Sequence, residues 1–204
     1  MFDWIVQSLA AGGYAGIAAL MFIENIFPPI PSELIMSSAG FAAARGDLDL
    51  ILVILSGTAG SLLGILPWYY AGRILDQARL KRLAARHGRW VTMTPADVDR
   101  AGIFFVRYGR TAVLFGRLVP TIRTLISVPA GVVGMPFLPF LALSAIGTFV
   151  WTALLALAGY LLREQFEAVY DYLNPVSTAV VVVLVVVYVW RVVTWRPLAR
   201  NDTP

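Results

Sequence analysis

The chain has 204 residues, 59% of them hydrophobic and only 14% charged, with a mean hydropathy of +0.76 and a formal net charge of +4. These values exclude an ordinary soluble domain and describe a polytopic membrane protein, read as a single membrane domain over 1–204 because no low-complexity linker divides it. Cysteine is absent and His87 is the one histidine, which excludes disulfides and thiolate metal sites and leaves no companions for a metal centre or a triad.

In chain order, Phe2, Trp4, Ile5 and Leu9 alternate with Asp3 and Gln7 in a pattern suited to a helix at the membrane interface. The N-terminus lacks a basic region and a placed cleavage site, so the first apolar segment is expected to be retained. Residues 12–44 read as a re-entrant hairpin with Pro28, Pro29 and Pro31 at its tip, because the second arm, 34–44, is too short to cross. A true first crossing from an inside N-terminus is the alternative. A short acidic connector at 45–49 leads to an uncharged stretch, 50–72, long enough to span, in which Gly57, Gly60, Ser61 and Gly64 mark a close-packing face.

Residues 73–110 carry nine basic side chains against three aspartates, which predicts a cytoplasmic loop. His87 reads as an ordinary residue of that loop. Thr94-Pro95 with Asp97 predicts a helix start, and Ile103, Phe104 and Val106 make that helix amphipathic enough to rest on the membrane. Residues 111–135, with Pro120 and Pro129, read as a second re-entrant hairpin. Pro136 opens a crossing to about Leu162, 163–171 is a net acidic external connector, and 175–195 is a final transmembrane helix with a cytoplasmic basic end. The predicted fold is an all-α polytopic membrane protein: two inverted re-entrant hairpin-plus-helix repeats, a cytoplasmic amphipathic helical loop and a C-terminal transmembrane helix.

Four charges stand inside the apolar sequence, Glu24 and Glu33 around the first proline cluster and Arg117 and Arg123 around Pro120. An ionised group at membrane depth costs at least about 2.5–3.5 kcal/mol on insertion scales, so each needs a partner, water or a function. The prolines remove backbone donors and free carbonyls that lipid cannot satisfy, so these stretches must be buried in protein or line a wet cavity. Asn25, Thr121, Thr124 and Ser127 read as capping residues, and Trp68, Tyr69 and Tyr70 as an interfacial aromatic belt.

The run Glu24, Pro28-Pro-Ile-Pro31-Ser-Glu33, then Gly60, Gly64, Tyr69 and Gly72-Arg73, then Phe115-Gly-Arg117-Leu-Val-Pro120-Thr-Ile-Arg123, Pro129-Ala-Gly131, Gly147, Trp151 and Gly159-Tyr160 closely resembles the DedA family of bacterial inner-membrane proteins, also called the SNARE-associated or VTT-domain group. The resemblance covers about residues 10–162. It implies opposed re-entrant hairpins and lipid transport, several members being similar in returning undecaprenyl phosphate across the membrane. Glu24 and Glu33 match the family's membrane acids, and Arg117 and Arg123 its essential arginines. Ile65 departs from the pattern, since many members carry an acid there.

Under that resemblance, Arg117 and Arg123 are expected to bind the substrate phosphate, with Glu24 and Glu33 as counter-charges and proton acceptors. The expected function is a proton-coupled flippase for undecaprenyl phosphate or a related anionic lipid. The expected partners are membrane lipids and protons, with no nucleic acid, no metal and no cofactor, and with self-association left open. The alternatives are a phospholipid scramblase, an ion or proton exchanger, a structural assembly factor in which the four charges only neutralise one another, and a membrane phosphatase. The last lacks a nucleophile or a ligand set, so the chain is expected not to be an enzyme.

Overall fold

A computed structural model describes residues 2–26, 32–91, 94–119, 122–162, 182 and 186–194, with the side chains of 2–11 and 87–91 outside the description. The described residues form helices joined by short connections, with no strand among them: α1 (Phe2–Ile26), α2 (Ser32–Ala44), α3 (Leu50–Val91), α4 (Pro95–Gly116), α5 (Ser127–Val132) and α6 (Phe137–Leu161). Two helices, Leu50–Arg86 and Phe137–Leu161, are long and apolar enough to cross a membrane. Pro28, Pro29, Pro31, Pro120 and Thr121 lie outside the described residues, as does most of the final predicted helix, of which 182 and 186–193 are helical.

Local sequence accounts for the element ends. Gly13, at φ +50°, breaks α1 near the boundary expected between the N-terminal helix and the first hairpin arm. Asp49 caps α3 by accepting from Leu52 N at 3.0 Å. At the start of α4, Asp97 N donates to Thr94 Oγ1 at 3.2 Å and Thr94 N donates to Asp97 Oδ2 at 3.0 Å, a complete capping box with Pro95 in the first turn.

Where the sequence predicted a crossing that ends at Gly72 followed by a loop, α3 continues to Val91. It is interrupted at Asp76, which has φ +39° and accepts from Arg79 N at 2.7 Å as an N-cap does. The basic segment is therefore two packed helices. The end of α3 meets α4 through Gln77, which donates to Asp99 at 3.2 Å, and through a Lys81–Asp99 ion pair. α4 also runs six residues past 110, so the second predicted hairpin begins inside a continuous helix.

The short helix of each half packs on a long helix of the other. α2 lies on α6, and α5 lies on α3. Each contact is close enough for main chain to touch main chain: a Cβ on Gly40 would stand 2.0 Å from Ala156 O, one on Gly159 2.0 Å from Ser37 O, and one on Gly131 2.1 Å from Tyr69 O. Gly60 is pressed against Ala18 of α1 in the same way, at 2.1 Å. One apolar cluster gathers Ile17, Met21, Ile35, Met36 and Val53, and another Ile65, Tyr69, Phe105, Val113 and Phe140. Between them, Thr58 and Thr152 join α3 to α6 by a hydroxyl contact of 2.9 Å.

Candidate functional site: paired arginines at a polar cavity

The last turn of α1 places Glu24 and Asn25 side by side in the interior, 4% and 2% exposed. Asn25 Nδ2 lies within bonding distance of three acceptors: Met21 O at 2.8 Å, Glu24 Oε2 at 3.0 Å and Ser61 Oγ of α3 at 3.0 Å. Its backbone oxygen accepts from Trp68 Nε1 at 2.8 Å. Asn25 is thus a bridge between α1 and α3 rather than a cap. Gly64 makes room for it, since a Cβ there would meet the Asn25 Cβ at 2.7 Å.

From the other half, the C-terminus of α4 and the turns before α5 deliver Arg117 and Arg123, 2% and 5% exposed. Arg123 Nη2 pairs with Glu24 Oε1. Arg117 finds neutral acceptors instead: Nη1 donates to Arg123 O at 2.6 Å and Nη2 to Ser127 Oγ at 2.8 Å. Ser127 therefore orients an arginine. Gly147 of α6 lets the chain approach, because a Cβ there would stand 2.7 Å from Arg117 Cβ. The guanidinium groups lie over aromatic rings, Arg117 over Phe140 at 5.7 Å and Arg123 over Trp151 at 6.0 Å.

The structure brings three of the four predicted charges, Glu24, Arg117 and Arg123, into one cluster. Glu33 stands apart in the first turn of α2, half-buried, close enough to Glu24 for the like charges to interact and without an ion pair among the described residues. Pro129 falls inside α5, in its first turn, where a missing N–H leaves no bond unmade.

Asn25, Ser61, Arg117, Arg123, Thr148 and Trp151 line a cavity with room for no more than about one water molecule. Two donors there have no acceptor among the described residues, Arg117 Nε and Trp151 Nε1. An acceptor in the cavity, a water molecule or an anion oxygen, would satisfy such a donor. Ser61, Thr148 and Trp151 were not singled out as site residues from the sequence. The signal for Thr148 and Trp151 was present in α6, where Phe140, Ser144, Gly147, Thr148 and Trp151 recur at helical spacing as one small, polar and aromatic face of an otherwise apolar helix.

Two expectations need correction. Tyr69 is fully buried: its hydroxyl donates to Met135 O at 2.6 Å and accepts from Arg73 Nη1 at 2.8 Å, and its ring stacks on Phe140 at 4.4 Å. Trp68 is tied to Asn25, so the interfacial-belt reading fits only Tyr70, which is 48% exposed. Ile65, where the family resemblance led us to expect an acid, is 1% exposed and packs beside Tyr69.

A family model described as the VTT domain matches residues 30–161. The chain belongs to the VTT-domain family, also called DedA. This VTT-domain chain is 34% identical to the undecaprenyl phosphate transporter A of Staphylococcus aureus, over 91% of this chain and 92% of that protein. It is 30% identical to the Bacillus subtilis protein of the same name, over 90% and 88%. It is also 40% identical to a Lactococcus lactis protein called alkaline phosphatase-like, over 93% and 89%. No solved structure matches it. The VTT-domain chain is a membrane protein whose described residues form helices and no strand.

Proposed function

We propose that this chain is a flippase that moves undecaprenyl phosphate, or a related anionic lipid, across the bacterial inner membrane, and that Arg117 and Arg123 hold the lipid phosphate. The observation that carries this reading is Arg117: a buried guanidinium beside a second one, with one N–H unpartnered, at a polar cavity. Guanidinium forks match phosphate oxygens and keep their charge when buried. The names of the Staphylococcus and Bacillus relatives favour the same substrate.

Glu24 pairs with Arg123, and in this reading a phosphate takes its place. Protonation of Glu24 weakens that pair and frees Arg123 for an incoming oxyanion, and Glu33, close enough to Glu24 for the like charges to interact, is the second proton acceptor. In this reading α1 with α2 and α4 with α5 form hairpins entering from opposite faces, which shortens the polar path for a head group. The basic helices within 73–110 and the C-terminus face the cytoplasm.

The chain acts without catalysis in this account. The transporter names of the Staphylococcus and Bacillus relatives favour this over the phosphatase name of the Lactococcus protein. One observation favours a second reading, ion or proton exchange: the cavity in this conformation is water-sized and not lipid-sized. Binding separates the two. Purified protein in detergent should bind undecaprenyl phosphate in preference to phosphatidylcholine and lose that preference in Arg117→Ala and Arg123→Ala proteins that remain folded. Equal binding of both lipids, indifferent to the substitutions, would favour exchange.

A further inference from the structure

The proposed function engages only the guanidinium groups, yet the face of α6 behind them is not inert. Arg123 lies over the ring face of Trp151, which leaves the ring edge, where Nε1–H projects, free for a separate bond. That N–H is buried with no acceptor among the described residues, and so is Arg117 Nε–H. Both side chains line the same cavity. More than about nine in ten buried polar groups in folded proteins are hydrogen-bonded, so two orphan donors at one cavity are a feature to be explained. The one carboxylate in the cluster, Glu24, is already engaged by Arg123 and Asn25. Two donors without an acceptor suit a group that carries acceptors and no donors.

We propose that Trp151 is a ligand-binding residue of this site, its indole N–H donating, beside Arg117 Nε–H, to the oxygens of a terminal phosphate monoester. The inference rests on the lipid-phosphate reading of the cavity and extends it from charge to geometry. An indole donor adds no charge; it adds one directed bond. A monoester presents three unesterified oxygens and a diester two, so a donor beyond the two guanidinium groups favours the monoester. Trp151 thereby serves twice, with its face under Arg123 and its edge toward the ligand.

The test titrates full-length protein in detergent with decyl phosphate, didecyl phosphate and inorganic phosphate, for wild type, Trp151→Phe and Arg117→Ala. Phenylalanine keeps a ring beneath Arg123 and removes the N–H. The expected result is decyl phosphate binding weakened about ten-fold or more in Trp151→Phe, the usual scale of one bond to a charged acceptor. Didecyl phosphate binding stays unchanged, and the thermal midpoint is equal or higher, because an unsatisfied donor has gone. A merely structural tryptophan would instead lower the midpoint and weaken both ligands together.

If inorganic phosphate binds as tightly as decyl phosphate and shows the same loss, the donor role stands and the ligand is a free anion. If Arg117→Ala abolishes binding while Trp151→Phe binds like wild type, the inference is overturned and the lipid-phosphate reading survives. If wild type binds no phosphate, both fall. Should Trp151→Phe not fold, the indole resonances of ¹⁵N-tryptophan-labelled wild type decide the matter. One of them should move downfield with decyl phosphate and not with the diester, and no movement overturns the assignment.

Discussion

Arg117 Nη1 donates to the main-chain oxygen of Arg123 at 2.6 Å, so one buried arginine holds the backbone that carries the other. A lysine at 117 keeps the charge but cannot span both this oxygen and Ser127 Oγ with a rigid fork. Arg117→Lys is expected to lose about 1–3 kcal/mol of stability and about ten-fold or more in phosphate-lipid binding. Thermal denaturation in detergent, followed by a binding titration on the folded protein, checks both. Wild-type binding in the lysine protein would mean that charge alone suffices.

The Glu24–Arg123 pair joins α1 to the turn before α5 with both side chains 6% exposed. Removing one partner strands the other charge, so Glu24→Ala is expected to cost about 3–5 kcal/mol, and the double change Glu24→Gln with Arg123→Gln to cost less than Glu24→Ala alone. Glu33 has no such partner among the described residues, and Glu33→Gln is expected to change stability by less than about 1 kcal/mol. Denaturation midpoints of the three proteins decide between these values. A Glu33→Gln protein as unstable as Glu24→Ala would show that Glu33 carries a structural pair of its own.

Glycine positions separate contact from flexibility. A Cβ on Gly40 or Gly131 would stand 2.0 or 2.1 Å from a backbone oxygen of a neighbouring helix, whereas one on Gly12 meets nothing within 4 Å. Gly40→Ala and Gly131→Ala should each cost about 1–3 kcal/mol or more by forcing helices apart. Gly12→Ala should be neutral or stabilising by up to about 1 kcal/mol, because alanine favours the helix. Yield of monodisperse protein and its thermal midpoint provide the readout.

Asp97 offers a pH-dependent contact outside the two candidate membrane spans. Hydrogen bonds from the Thr94 hydroxyl and backbone N–H hold its carboxyl below the ordinary carboxylate value. A depressed folded-state value means that the cap's contribution is complete above the unfolded value and lost as pH falls through the folded one. Hydrogen exchange at the first turn of α4 should therefore be independent of pH-linked opening near neutrality and show loss of protection in acid. Asp97→Asn should remove the acid-linked part, and Thr94→Ala should cost about 1 kcal/mol of helix stability.

The sequence carried those parts of the fold that depend on near neighbours. Thr94, Pro95 and Asp97 announce a helix start because a capping box is complete within four residues. Gly60 and Gly64 announce a packed face because the helical repeat alone aligns them. The continuation of α3 past Gly72 was not legible, because the break at Asp76 depends on a backbone conformation that aspartate adopts only in context. Nor could spacing say which acid meets which arginine, since Glu24 and Arg123 come together only when the two halves pack. Tyr69 looked interfacial because an amphipathic ring beside a basic segment commonly is; Arg73 and the Met135 carbonyl satisfy its hydroxyl inside the protein instead. Trp151 was visible as a residue of the family pattern, but its orphan N–H appears only in three dimensions.

The account stands on transbilayer movement of a phosphate lipid through the Arg117 and Arg123 site, and a proteoliposome assay measures this directly. Undecaprenyl phosphate is incorporated in both leaflets, and the fraction reachable by a membrane-impermeant phosphatase added outside is followed with time. Wild-type protein should carry the reachable fraction from about half toward completion, faster with a proton gradient of one sign, while folded Arg117→Ala and Arg123→Ala proteins leave it at the level of empty vesicles. A reachable fraction that stays at the empty-vesicle level with wild-type protein, or that rises equally with both arginine variants, would contradict the account.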